Sequence, residues 1–252
     1  MLAHRKLTAK ETALAICFTA LYVVFGFLSI SPIIGSQGKT ITAAAIMAPI
    51  MGIILGPYIG TLSTILGGII GLFVGSFSLP SLVSGVAATS CASMLYAGKR
   101  STCVFVYFAL LFLFGFYPFV GPVWLYPQFM WFQIAGLLVL VSPFQSMALK
   151  NLNSNNDSKI FPAFFLTTLT STLAGQIAGS LTFELLYSWP ILIADVNVWK
   201  AYWQIITFLY PLERTVIALG ASFIGGSLHR VLKFANSVPT TDPQIGKKPF
   251  RF

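Results

Sequence analysis

The sequence predicts an all-α membrane protein, a polytopic helical bundle of about eight apolar segments with both termini cytoplasmic. Three observations predict it. The 252-residue chain is 56% hydrophobic and only 8% charged, with a mean hydropathy of +0.84. An ordinary soluble domain carries about 25% charged residues, so too few polar groups exist here to cover a globule of this size. Apolar stretches approaching the roughly 20 residues of a spanning helix recur along the chain. The basic residues then fall on one side of those stretches, as they do in cytoplasmic loops.

The segments run approximately over 11–31, 40–56, 58–76, 80–97, 102–119, 127–148, 161–188 and 209–232. The first follows the basic His4-Arg5-Lys6 and looks superficially like a signal peptide. It is too long for such an apolar region and has no small-residue cleavage site, so it reads as the first span. The fourth, SLVSGVAATSCASMLYAG, is weakly apolar and is expected to be buried among neighbours or broken. With eight passes, one side receives twelve of the fifteen Lys and Arg residues, and the other only Lys39 and Lys200. Arg214 lies within a span. The net charge of +9 is therefore a topology signal and not a nucleic-acid signal. Residues 1–236 form a single transmembrane domain, and 237–252 a basic cytoplasmic tail suited to anionic lipid.

Several motifs carry no chemistry. Cys17, Cys91 and Cys103 form no CxxC pair, and His4 and His229 have no metal-ligand spacing. GSQGKT at 35–40 lacks the first glycine of a phosphate loop, since Ile33 stands there. Asn156-Asp157-Ser158 matches a glycosylation acceptor but falls on the inner side. No nucleophile–base pair stands out, and no cofactor or metal is implied.

Glycine carries more information. Gly52, Gly56 and Gly60 recur every four residues, as do Gly67, Gly71 and Gly75. Glycine is about 1 kcal/mol worse than alanine in a helix, but in lipid small residues allow close backbone packing. Pro57 after Gly56 predicts a turn, with two short helices descending and returning as a hairpin. These faces serve either packing within the chain or contact with a partner membrane protein.

The stretches ALAICFTALYVVFGFL and ITAAAIMAPIMGIILGPYIGTLSTILGGIIG, joined by a Pro/Gly-containing loop, carry a family resemblance. They resemble the N-terminal half of the substrate-binding S-components of energy-coupling factor transporters. Leu55, Gly56, Pro57 and Gly60 match that family's LGPxxG turn. The likeness covers roughly residues 7–75, is looser at YPLERTVIALGASFIGG (210–226), and does not extend through the middle. It implies a six-helix core within this longer chain. It also implies a non-enzymatic subunit that captures a vitamin-like or heterocyclic micronutrient at its outer half. Such a subunit docks on a transmembrane coupling subunit bearing two ATPases. By position, Ala13, Ala15 and Ala20 are the nearest docking candidates. A secondary transporter, a membrane enzyme acting on lipid, and an assembly protein remain the alternatives.

Charge at membrane depth is rare and usually functional, which singles out Glu184, Glu213 and Arg214. Pro211 suggests a last helix starting near Tyr210, with Glu213 and Arg214 in its first turn. Adjacent residues diverge by about 100° on a helix, so each is expected to need another partner. Glu184 and Arg214 either pair structurally or face a ligand. Gln176, two turns below Glu184, extends that site. Tyr117, Trp124, Tyr126, Trp131, Trp189, Trp199, Tyr202 and Trp203 gather on the same side, as an interfacial belt or as cavity walls. The loop 189–208, with Trp199, Trp203 and Gln204, is expected to cover the site.

Overall fold

The computed structural model describes residues 8–35, 38–152, 154, 156–188 and 196–234. It is 83% helical, which establishes the α class. The first helix, α1 (Ala9–Phe25), opens on a capping box in which Thr8 and Glu11 bond reciprocally. The chain then forms a short antiparallel pair, β1 (Ser29–Pro32) with β2 (Thr40–Thr42). The end of the first apolar segment and the start of the second thus form a hairpin and not helix.

The next element, α2 (Ala44–Val74), is two helices joined at Gly56, whose φ of 77° and ψ of −178° are not helical. In a straight helix Met51 and Thr64 would stand about 20 Å apart. Here Thr64 Oγ1 lies 4.0 Å from Met51 Sδ. A side chain at Gly60 would meet the Met51 carbonyl oxygen at 2.8 Å. The two arms therefore fold back on each other.

The weakly apolar fourth segment is one unbroken helix, α3 (Leu79–Tyr96), capped by Ser78 and packed chiefly against α2. Its small residues permit close contact. A Cβ at Gly52 would lie 2.3 Å from the Thr89 carbonyl oxygen. Thr89 Oγ1 donates to the Ala48 carbonyl at 2.8 Å and shares a 2.9 Å hydrogen bond with Thr64. These buried hydroxyls join both arms of α2 to α3. Gly67 faces Thr19 and Tyr22 of α1, and Gly71 faces Phe77. The glycines every four residues therefore serve different neighbours.

Next come α4 (Arg100–Gly115), a short α5 (Pro122–Leu125), a 3₁₀ turn (Pro127–Met130), α6 (Trp131–Val141) and α7 (Pro143–Asn151). At 16 residues α4 spans about 24 Å, less than the roughly 30 Å hydrocarbon layer. The 127–148 segment is bent by 65° at Pro143. Arg100 holds the bend: its Nε and Nη2 donate to the carbonyls of Leu140 and Ser142, each at 2.8 Å, and its Nη1 donates to Ser146. The long helices α8 (Asp157–Tyr187) and α9 (Val196–Phe234) complete the bundle.

Four helices among the described residues are long and apolar enough to cross a membrane: Ala44–Val74, Leu79–Tyr96, Ser158–Tyr187 and Val196–Leu232. The chain is membrane-embedded in character, and its exposed surface agrees. Along α9, Phe208, Leu212, Val216, Leu219 and Phe223 form an exposed apolar stripe at helical spacing. The opposite face buries Tyr210, Ile217, Ala218 and Ala221.

The beginning of α9 corrects the sequence expectation. Residues 196–208 are helix, not loop, and Pro211 lies inside the helix. Pro211 lacks the N–H that would bond the Thr207 carbonyl one turn back, and Thr215 Oγ1 donates to the Pro211 carbonyl at 2.7 Å. Residues 189–195, including Trp189, lie outside the described residues, as does the basic tail.

Candidate functional site

A cavity of about 90 Å³ opens at one end of the bundle. The end of α1, the β1–β2 hairpin, the starts of α2, α3 and α9, and the end of α8 meet there. Its walls differ in chemistry. From α3 come Pro80, Ser81, Ser84, Gly85 and Ala88, all small. From α9 come Trp199, Tyr202, Trp203, Ile206, Tyr210 and Arg214. Thr172, Gln176, Gly179, Ser180 and Phe183 of α8 stand between them. Tyr22, Phe77, the hairpin residues Ile33, Ile34, Ile41 and Thr42, and Ala44, Ala45 and Ala48 of α2 complete the lining.

The small wall follows from close packing. A side chain at Gly175 would meet the Ser84 carbonyl oxygen at 2.6 Å, and one at Gly179 would meet Ser84 Cβ at 3.0 Å. Glycine at both positions lets α8 approach the α3 backbone. The aromatic wall is rigid. Trp203 stacks on Phe129 at 5.3 Å, and its indole N–H donates to the Val120 carbonyl at 2.8 Å. Trp199 meets Trp203 at 5.8 Å and Phe183 at 5.7 Å. The hairpin is the roof. A Cβ at Gly35, where φ is +86°, would lie 2.9 Å from the Tyr202 ring and 3.0 Å from Phe183. Lys39 Nζ donates to the Gly75 carbonyl at 3.3 Å, tying the hairpin to the end of α2.

The register of α8 against α9 gives the depth of each layer. Thr168 Oγ1 donates to the Ala218 carbonyl at 3.3 Å. Both helices rise about 1.5 Å per residue in opposite directions. Thr172 is therefore level with Arg214, Gln176 with Tyr210, Ser180 with Ile206, and Phe183 with Trp203. The floor is polar and the upper part aromatic. Gln176 lies about 17 Å along α8 from its end at Tyr187.

Two floor groups have unused hydrogen-bonding capacity. Gln176 is 4% exposed, and neither its Nε2 nor its Oε1 has a partner among the described residues. Arg214 is 5% exposed; its Nη2 donates to Glu213 Oε1 at 3.1 Å, while its Nε has no partner among the described residues. The guanidinium also lies 5.8 Å from the Tyr210 ring centroid, within cation–π range.

Of the residues singled out from sequence, Gln176, Trp199, Tyr202, Trp203 and Arg214 line the cavity. Among the described residues, Tyr117, Trp124, Tyr126, Trp131, Glu184, Gln204 and Glu213 do not. Gln204 is exposed, because it lies about 160° around α9 from Ile206. Glu184 is fully buried but outside the lining, and neither carboxylate oxygen has a partner among the described residues. It sits about 80° around α8 from Gln176, whereas the lining residues of that helix fall between about −60° and +40°. Glu184 shares a face instead with Ile177 and Leu181, which belong to the core around Trp199 and Trp203. No Glu184–Arg214 pair forms. Arg214 pairs with its own neighbour Glu213, against the expectation from helical divergence. The long arginine side chain spans the 100° that separates the two Cα–Cβ directions.

The sequence reading passed over Tyr22, Phe77, Thr172, Ser180, Phe183 and Tyr210. A signal existed on α9, where Trp199, Trp203, Ile206, Tyr210 and Arg214 recur at spacings of three and four. On α8, Thr172, Gln176 and Ser180 do the same. Ala13 and Ala20 are exposed on α1, while Ala15 is half-buried. No family model, curated protein or solved structure matches the chain.

Proposed function

We propose that the protein is a membrane-embedded, high-affinity substrate-binding subunit for ATP-driven uptake of a vitamin-like or heterocyclic micronutrient. The single observation that carries this reading is the roofed cavity, with its polar floor at membrane depth and aromatic upper walls. Concave sites lined by aromatics with a few fixed polar groups are the usual form of small-molecule sites. The glycine reversal at Gly56-Pro57 supports the resemblance to S-components. So does the position of α1, which buries Phe18 and Tyr22 against α2 and leaves Ala13, Cys17 and Ala20 exposed. That face would dock on a separate coupling subunit carrying two ATPases.

In this reading the chain makes eight short or broken passes through the cytoplasmic membrane. The two arms of α2 count separately and α6–α7 count as one. Both termini lie in the cytoplasm, and the cavity opens outward at the end bearing Lys39 and Lys200. The 65° break between α6 and α7 is the kind of discontinuity a secondary transporter uses. None of its residues lines the cavity, so the subunit reading is preferred.

Purified alone in mild detergent, the protein should retain one small molecule per chain, identifiable by mass spectrometry. In proteoliposomes, uptake should require the coupling subunit and ATP hydrolysis and should survive ionophores. Uptake by this chain alone, collapsed by ionophores, would favour a secondary transporter. Product formation in detergent would favour a lipid-directed enzyme.

A further inference from the structure

The charge balance of the floor points to the chemical class of the ligand. Resting on the cavity as the substrate site, we infer that it takes a compact, planar, electrically neutral ring. The ring carries a hydrogen-bond donor beside an acceptor, as in a carboxamide, lactam or cyclic urea. That edge points down toward Gln176 and Arg214.

Three observations combine. First, Gln176 brings a donor nitrogen, Nε2, and an acceptor oxygen, Oε1, to the cavity, both unpartnered among the described residues. A carboxylate offers acceptors only, and an ammonium donors only. Either would leave half of the Gln176 amide unsatisfied at depth, whereas an amide-type edge satisfies both halves at once.

Second, the floor is already neutral. Arg214 is the one cation among the lining residues, and Glu213 holds it at 3.1 Å. An anionic ligand would bring a charge that nothing at the floor balances, and buried unpaired charge is strongly unfavourable. Arg214 Nε retains one donor for a neutral carbonyl on the same ligand.

Third, the walls above the floor set the shape. Trp199, Tyr202 and Trp203 of α9 and Ser81, Ser84, Gly85 and Ala88 of α3 all line the cavity. A lining that combines broad aromatic rings with small residues suits a planar body. The volume of about 90 Å³ is well below the roughly 300–1,000 Å³ of drug-sized sites, so the body is compact.

The test uses three single-ring probes at pH 7.5 on the full chain in detergent micelles, with affinities read by calorimetry. Nicotinamide is planar and neutral with an amide edge. Nicotinate is the same ring as an anion. Cyclohexanecarboxamide keeps the amide but is not planar. Nicotinamide should bind at least tenfold more tightly than either comparator. Gln176→Met should bring nicotinamide and nicotinate within about twofold of each other. Gln176→Asn, which keeps the amide on a shorter arm, should weaken nicotinamide while preserving its preference. Melting curves report that both variants are folded.

Nicotinate binding as tightly as nicotinamide, with both sensitive to Gln176→Met, would overturn the neutral-edge inference and leave the cavity as the site. Equal binding of the non-planar amide would overturn the planar requirement in the same way. Absence of binding by all three overturns the compact-ring class, while a retained compound in mass spectrometry would still uphold the site. Nicotinamide binding that ignores both Gln176 variants would place the ligand elsewhere and remove the cavity reading itself.

Discussion

Gly56→Ala isolates one physical term. At φ 77° and ψ −178° the residue sits in a region essentially closed to any side chain. A Cβ there would meet nothing within 4 Å. Crowding therefore adds nothing, and the whole cost is backbone strain, about 1–3 kcal/mol. That corresponds to a roughly 5- to 150-fold shift toward the unfolded state, since about 1.4 kcal/mol is tenfold. Gly75 is the control. Its φ of 83° and ψ of 1° are the ordinary left-handed helix cap, which asparagine tolerates. Gly75→Asn should be nearly neutral, whereas Gly56→Asn should be as costly as Gly56→Ala. Denaturant titration in micelles, followed by circular dichroism, measures the differences. If both Gly56 variants unfold with the wild type, the chain does not reverse through a positive φ at this residue.

Three further outcomes follow from close contacts. Gly52→Ala places a methyl 2.3 Å from the Thr89 carbonyl oxygen, so α3 must move away from α2; a loss of about 1–3 kcal/mol is expected in the same titration. Arg100→Ala frees the carbonyls of Leu140 and Ser142, and hydrogen exchange should rise around the α6–α7 bend while the cavity end is unchanged. Gln176→Met removes two buried unpartnered polar atoms at similar volume. The empty protein should gain about 1–3 kcal/mol, and a loss of stability would show that Gln176 is a structural hydrogen-bonding residue.

The membrane class and the α2 reversal were legible because each rests on a local rule. Composition alone excludes a soluble globule. A glycine before a proline between apolar arms marks a break whatever surrounds it. The cavity was only partly legible, and α9 shows why. Residues 196–208 contain Lys200, Gln204 and three aromatic residues that line the cavity, so their mean polarity reads as loop. Their burial alternates at helical spacing, with Trp199, Trp203 and Ile206 inside and Lys200, Gln204 and Phe208 outside. Periodicity carried the information that average hydropathy erased. Glu184 misled for the opposite reason. Depth placed it correctly, one turn from the end of α8, but depth does not specify angle. A rotation of about 80° from Gln176 separates a lining residue from a core one. The Glu213–Arg214 pair was missed because Cα directions set where side chains leave a helix, not where a four-bond arm ends.

That pair explains how a cation can sit at the floor without selecting anions. A lone arginine at this depth would attract carboxylates. With Glu213 bound to Nη2, the floor presents donors without net charge. Glu213→Gln keeps the shape of the neighbour while removing its charge, so it should convert the floor from neutral to positive. Losing a partner from a buried ion pair costs about 3–5 kcal/mol, so the variant should melt earlier when empty. Nicotinate should then bind better to Glu213→Gln than to the wild type, and its binding should raise the variant's melting temperature. Nicotinamide, which has no charge to offer, should change little. The rank order of the two probes would thus invert through a residue that does not line the cavity. An unchanged preference for nicotinamide in a folded Glu213→Gln protein would mean that charge balance at the floor does not set specificity.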